Sequence, residues 1–148
     1  MIAVTVDPAP IDIGAEYAAI AVGGAGGIAT FAGLVRADDG VEALTLEHYP
    51  GATEAALVAL AEAAVARWEL NAARITHRVG RMVPGDTVVF VATAARHRAA
   101  ALEACAFLID RLKTEAPFWK KESLAGAERW VEPRCSDDAA AARWNENA

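Results

Sequence analysis

The sequence predicts an α+β fold with largely antiparallel strand pairing. Short alternating or β-branched segments and helical segments interleave in the order β-α-β-β-α-β-β-α-β-β-α. No repeat, linker or low-complexity stretch divides the 148 residues, so residues 1–148 form one domain long enough to bury a core. Much of the 55% hydrophobic content is alanine, which supports helix as much as core.

The elements follow in order. Ile2–Val6 alternates as a short strand and is broken by Pro8 and Pro10. Ile11–Val22 has helical composition, with Asp12 as N-cap and Gly23-Gly24 as its end. Residues 26–36 form a strand carrying internal glycines, a mark of a bulge or close backbone approach. A turn over residues 37–40 leads to a second alternating strand over Val41–Tyr49, and the two strands suggest a hairpin-like pair. Pro50-Gly51 punctuates, and Thr53 is the expected N-cap of a helix running to Trp68. Ala73–Arg81 is a strand, Val83-Pro-Gly-Asp86 a turn, and Thr87–Thr93 a buried strand. His97–Glu115 is the clearest helix, its apolar stripe formed by Leu102, Cys105, Leu108, Ile109 and Leu112. Pro117 ends it. Two short strands, Phe118–Glu122 and Glu128–Glu132, and an alanine-rich helix or tail over residues 136–148 complete the chain.

Composition excludes several classes. No apolar run reaches the ~20 residues that cross a bilayer, and the N-terminus lacks the pattern of a secretory signal, which points to the cytoplasm. His48, His77 and His97 show no zinc-ligand spacing, so no metal site is expected. Cys105 falls in an apolar helical stripe and reads as a small buried residue, whereas Cys135 sits in a polar segment. The net charge of -6 argues against nucleic acid. Its distribution is more telling. Residues 1–66 carry nine acidic side chains and one cation, Arg36, whereas residues 96–134 carry eight Lys or Arg. A localised basic patch on an acidic protein suits a small anion or an acidic partner segment.

All three lysines, Lys113, Lys120 and Lys121, lie within nine positions, beside Pro117, Phe118 and Trp119. Lysine is a compact charge that binds phosphate and turns nucleophilic when its pKa falls. Lys113 also suits the C-terminus of its helix electrostatically. Strand alternation puts Lys120 on the face of Phe118, and Lys121 with Trp119 on the other. Arg36 is either an anion ligand or half of a surface ion pair. Arg96-His97-Arg98 opens the main helix, where cations oppose the dipole. An anion held there explains them, the alternative being a neutral polar His97. The 16 residues from His97 to Lys113 span ~24 Å of helix, too far for one small ligand. There are therefore two sites, or one composite site in a symmetric dimer. No nucleophile elbow, P-loop or dinucleotide fingerprint is present.

Five motifs together carry a more specific signal. Thr30-Phe-Ala-Gly-Leu-Val-Arg36, Leu44-Thr-Leu-Glu-His-Tyr-Pro-Gly51, His77-Arg-Val-Gly-Arg81 with Pro84-Gly85, Ala95-Arg-His-Arg98, and Leu112-Lys-Thr-Glu-Ala-Pro-Phe-Trp-Lys-Lys-Glu122 lie in register over about residues 25–135. Together with Arg129-Trp-Val-Glu132, they resemble the catalytic (large) subunit of molybdopterin synthase, the MoaE family. The resemblance implies an α/β hammerhead fold with an additional antiparallel β-sheet. It implies a sulfurtransferase that converts cyclic pyranopterin monophosphate to molybdopterin in molybdenum cofactor biosynthesis. The sulfur would come from the thiocarboxylated C-terminus of a small ubiquitin-like subunit, with no cofactor on this chain. The assembly implied is a homodimer of this chain within a heterotetramer, without nucleic acid or membrane. Lys113 and Lys120 would be the catalytic pair. Arg36, His97, Arg98, Lys121, Glu122 and Arg134 would bind substrate. A noncatalytic pterin- or anion-binding module of the same fold is the alternative. The loop over residues 37–40 is shorter and more acidic than is usual in the family.

Overall fold

A computed structural model describes residues 1–125, 127–131 and 135–145, with backbone alone at 39 and 135–138. The fold is α+β, built from two four-stranded sheets and four α-helices among these residues. The first sheet has the order β1-β4-β6-β2, from Ile2–Asp7, Ala72–Arg78, Thr87–Ala95 and Gly27–Leu34. Only β1 and β4 run parallel; the other ladders are antiparallel. The second sheet has the order β5-β3-β7-β8, from Gly80–Met82, Ala43–His48, Phe118–Leu124 and Ala127–Val131. All its ladders are antiparallel.

Alternation along β6 shows why the first sheet is covered on both sides. Val89, Val91 and Ala95 join a core with Leu57, Leu60, Leu108 and Leu112 of helices α2 (Ala52–Trp68) and α3 (Arg98–Glu115). Phe90, Ala92 and Ala94 instead meet Ile20 of α1 (Ile13–Ile20). A strand buried on both faces reads as a continuous apolar run. Asp12 caps α1, accepting from the Ala15 N–H at 3.1 Å. Glu16 then fastens α1 to β4, accepting from the Thr76 hydroxyl at 2.8 Å and pairing with Arg74. Helix α4 (Cys135–Ala142) leads to Trp144, whose ring meets Trp68 and Phe107 edge-on at 5.7 Å. Its indole N–H donates to Asp110 at 2.8 Å.

Four expectations are corrected. The strands over 26–36 and 41–49 form no hairpin: β2 pairs with β6, and β3 with β5 and β7. Alternation identifies a strand but not its partner, and β2 finds a long ladder on β6. Residues 35–42 then cross between the sheets. The strand expected over residues 73–81 divides in the same way. Gly80 at φ 86° turns the chain after Val79, so β4 lies in the first sheet and β5 in the second. Leu102 is 61% exposed, because the buried stripe runs through Ala101, Ala104, Cys105, Leu108 and Leu112, about 100° away around the helix.

The fourth correction concerns Thr53. Gly51 is the N-cap of α2, and its N–H is closed by the Glu54 carboxylate at 3.0 Å. Thr53 sits inside the first turn, fully buried. Its hydroxyl accepts from the Tyr49 N–H at 3.0 Å and donates to the Pro117 carbonyl at 2.9 Å. One hydroxyl thus clasps the end of β3, the start of α2 and the α3–β7 junction. Thr53→Val keeps the shape and strands both backbone groups. It should lower unfolding stability by about 1–3 kcal/mol in urea titrations, with Thr53→Ser close to wild type.

Candidate active site

The two sheets meet around a third apolar cluster of Val35, Leu46, Val79 and Met82, against which Phe118 and Leu44 pack. Each strand that crosses from sheet to sheet passes through it. His77, two residues before that crossing on β4, is buried and stacks on Phe118 of β7, with ring centroids 4.0 Å apart and planes 23° from parallel. Nδ1 of His77 lies 3.0 Å from the Arg78 carbonyl oxygen. A carbonyl only accepts, so Nδ1 carries the proton.

Two of the lysines act electrostatically on this ring. Lys113 is in the last turn of α3, and Lys120 is two residues past Phe118 on the same face of β7. Both lie within electrostatic reach of His77, as does His48, which stands opposite Phe118 in the β3–β7 register. His48 Nε2 is 3.8 Å from Glu54. Burial pushes the His77 imidazole down to about 4 from 6.5, although its bond to Arg78 acts the other way. The positive charges of Lys113 and Lys120 lower it further. The ring is therefore neutral at physiological pH.

The alternation expected for β7 is present. Glu122 follows Lys120 on the same face and pairs with Arg129 at 3.0 Å. Lys121 is on the other face, 3.4 Å from Glu128 and 4.9 Å from the centre of the Trp130 ring. Trp119 meets Tyr49 edge-on at 4.1 Å. Arg36 follows Val35 of the junction cluster and pairs with Asp38 at 3.2 Å, both side chains more than 60% exposed. An exposed pair of this kind contributes at most ~1 kcal/mol and yields readily to a better anion.

His97 and Arg98 lie elsewhere, at the N-terminus of α3, where His97 is the N-cap. Gly26 sets this end: a Cβ there would sit 2.1 Å from the Arg96 carbonyl oxygen, so only glycine lets β2 approach so closely. In one chain these two residues stand a helix length from Lys113, ~24 Å. Arg134 lies outside the described residues. Cys105 is buried, and burial pushes its thiol up to about 11, which leaves it protonated and unreactive at neutral pH.

The sequence reading missed His77, His48 and Thr53 as parts of this centre. The signal for His77 was a lone histidine in a strand whose neighbours Ile75 and Val79 are core, but its partner Phe118 is 41 residues further on.

The comparisons agree with this architecture. The family model described as MoaE protein matches residues 6–115. A molybdopterin synthase catalytic subunit of Pseudomonas aeruginosa is 50% identical over 149 residues, covering 97% of this chain and 99% of the relative. The solved structure of a molybdopterin biosynthesis MoaE protein from Burkholderia ambifaria superimposes with a TM-score of 0.85 at 49% identity, covering 97% of this chain and 98% of that one. At the level of fold alone, a complex of subunits 1 and 2 of molybdopterin-converting factor from Helicobacter pylori matches with a TM-score of 0.75 at 18% identity, covering 90% and 91%. Fold and likeness define a class, the catalytic subunits of molybdopterin synthase, which act in molybdenum cofactor biosynthesis. The chain belongs to the MoaE family.

The buried imidazole has a measurable consequence. Its folded pKa is depressed, so between pH 6.5 and about 4 the unfolded chain takes up a proton that the folded chain does not. Stability should be unaffected by this group above pH 6.5 and fall by about 3 kcal/mol as pH drops to the folded value. Urea unfolding across that range checks this, and His77→Phe should remove that part of the slope.

Proposed function

We propose that this chain is the sulfur-accepting half of molybdopterin synthase, a sulfurtransferase. It would take sulfur from the thiocarboxylated C-terminus of a small ubiquitin-like subunit and form the dithiolene on cyclic pyranopterin monophosphate. Each transfer makes one carbon–sulfur bond on the pterin as a carbon–oxygen bond there breaks, the oxygen leaving as water or with the opened phosphate ester. Water replaces the sulfur on the partner, whose C-terminus returns to a carboxylate. Two transfers complete the dithiolene, and no cofactor resides on this chain.

The observation that carries this reading is the placement of Lys113 at the end of α3 and Lys120 near the start of β7, on either side of the Pro117 turn, in a chain of the MoaE family. Both reactants are anionic: a thiocarboxylate tail and a phosphate-bearing pterin. Cations at the site lower the cost of bringing them together and stabilise charge developing on the acyl oxygen. In this reading Lys113, at the helix end, meets the partner's tail, and Lys120 faces the pterin. Glu122 shares the face of β7 that carries Lys120, and Arg36 belongs to the set through the likeness of its motif to the family. Lys121 and Arg134 belong to the substrate-binding set through the likeness of their motifs to the family. The small-subunit partner is supported by the fold shared with the Helicobacter pylori complex of subunits 1 and 2.

His97 and Arg98 enter through a second copy. A helix length separates them from Lys113 in one chain, so a symmetric homodimer would supply them across its interface, within a heterotetramer.

The direct test mixes purified protein, thiocarboxylated small subunit and cyclic pyranopterin monophosphate, and follows dithiolene formation. Lys113→Ala and Lys120→Ala should each lower the rate by about 100-fold or more. Activity equal to wild type in both variants would defeat the assignment. The dimer is tested by mixing. Inactive Lys113→Ala and inactive Arg98→Ala subunits, exchanged into mixed dimers, should recover about a quarter of wild-type activity, because one wild-type composite site forms in each mixed dimer. No recovery after verified exchange would place both residues in one chain's site.

A further inference from the structure

Resting on the functional reading above, we infer that His77 is a positioning residue: its ring, fixed by the Arg78 carbonyl and stacked on Phe118, holds the start of β7 and so sets where Lys120 stands relative to Lys113 at the end of α3. The ring's stacking partner and the charged groups that act on it come from several elements. Phe118 and Lys120 come from β7, Lys113 from α3, and His48 from β3, with Glu54 of α2 behind His48 at 3.8 Å.

The chemistry of the ring suits this place. A cation there would repel both ammonium groups. A carboxylate would capture one of them in an ion pair and take it from the ligand. A neutral ring does neither. Its one N–H is already committed to Arg78 at 3.0 Å, which fixes the tautomer and the ring plane. The stack passes that plane to Phe118, and Phe118 shares its strand face with Lys120. The imidazole is poorly suited to exchange protons itself, since burial holds it neutral down to about pH 4.

The test uses the complete enzyme with thiocarboxylated small subunit and pterin substrate. His77→Ala removes the stack, and His77→Phe keeps a flat ring on Phe118. His77→Ala should lower kcat by about 30- to 100-fold with KM changed by less than about 3-fold, as expected of a displaced reacting group. His77→Phe should recover kcat to within about 5-fold of wild type, with the acid limb of the pH–rate profile unmoved. A folded His77→Ala enzyme with wild-type kcat overturns the inference. So does a His77→Phe enzyme as slow as His77→Ala with a displaced acid limb, which would make the imidazole a proton carrier. Nitrogen-15 NMR of the protein without substrate separates this claim from the functional reading. His77 should be protonated at Nδ1 and bare at Nε2 from pH 6 to 8. The Lys113 and Lys120 side-chain signals should shift in His77→Ala and stay near wild type in His77→Phe. If these spectra behave so while wild type forms no dithiolene, the functional reading falls and the positioning role stands. If the lysine signals ignore both substitutions, the positioning role falls.

Discussion

The stack of His77 on Phe118 joins two sheets that share no ladder. His77 belongs to β4, at the point where the chain is about to leave the first sheet. Phe118 opens β7, just after α3 has ended. The Thr53 hydroxyl holds the Pro117 carbonyl beside that stack, and the apolar junction of Val35, Leu46, Val79 and Met82 closes around it. Helix α3 ends and strand β7 begins at this junction, and the two lysines are carried by those two elements. In the proposed reading their relative position follows from the sheet junction as well as from the short segment between them.

Charge and burial are distributed accordingly. The proposed substrate-binding groups are held in ion pairs whose partners are exposed: Arg36 with Asp38, Glu122 with Arg129, Lys121 with Glu128. Exposed ion pairs contribute little and can be exchanged for ligand contacts at small cost. His77 is buried and neutral, because an imidazolium there would combine desolvation with repulsion from the charges of Lys113 and Lys120.

Much of this was legible in the sequence. Strand alternation assigned Lys120 and Lys121 to opposite faces, and counting along α3 separated His97 from Lys113 by a helix length. Both are local properties, fixed by strand and helix geometry alone. Strand partnership was not legible, because alternation is the same whichever neighbour a strand finds. That is why β2 and β3 read as a hairpin and why the division of β4 from β5 was missed. Thr53 was misassigned because a threonine ahead of a helix has the composition of a cap, whereas its hydroxyl serves Pro117, 64 residues away. His77 was silent for the same reason: its role depends on Phe118, which only the folded chain brings to it.

The central claim is that the His77–Phe118 contact couples the two sheets and, through them, the two lysines. A double-mutant cycle on this pair measures that coupling directly, using His77→Ala, Phe118→Ala and the double variant in urea unfolding. The account predicts a coupling free energy of about 0.5–1.5 kcal/mol, as for other stacked ring pairs, and matching non-additivity in the dithiolene-forming rate. Two single substitutions whose effects add within about 0.3 kcal/mol, and whose effects on rate multiply independently, would contradict it.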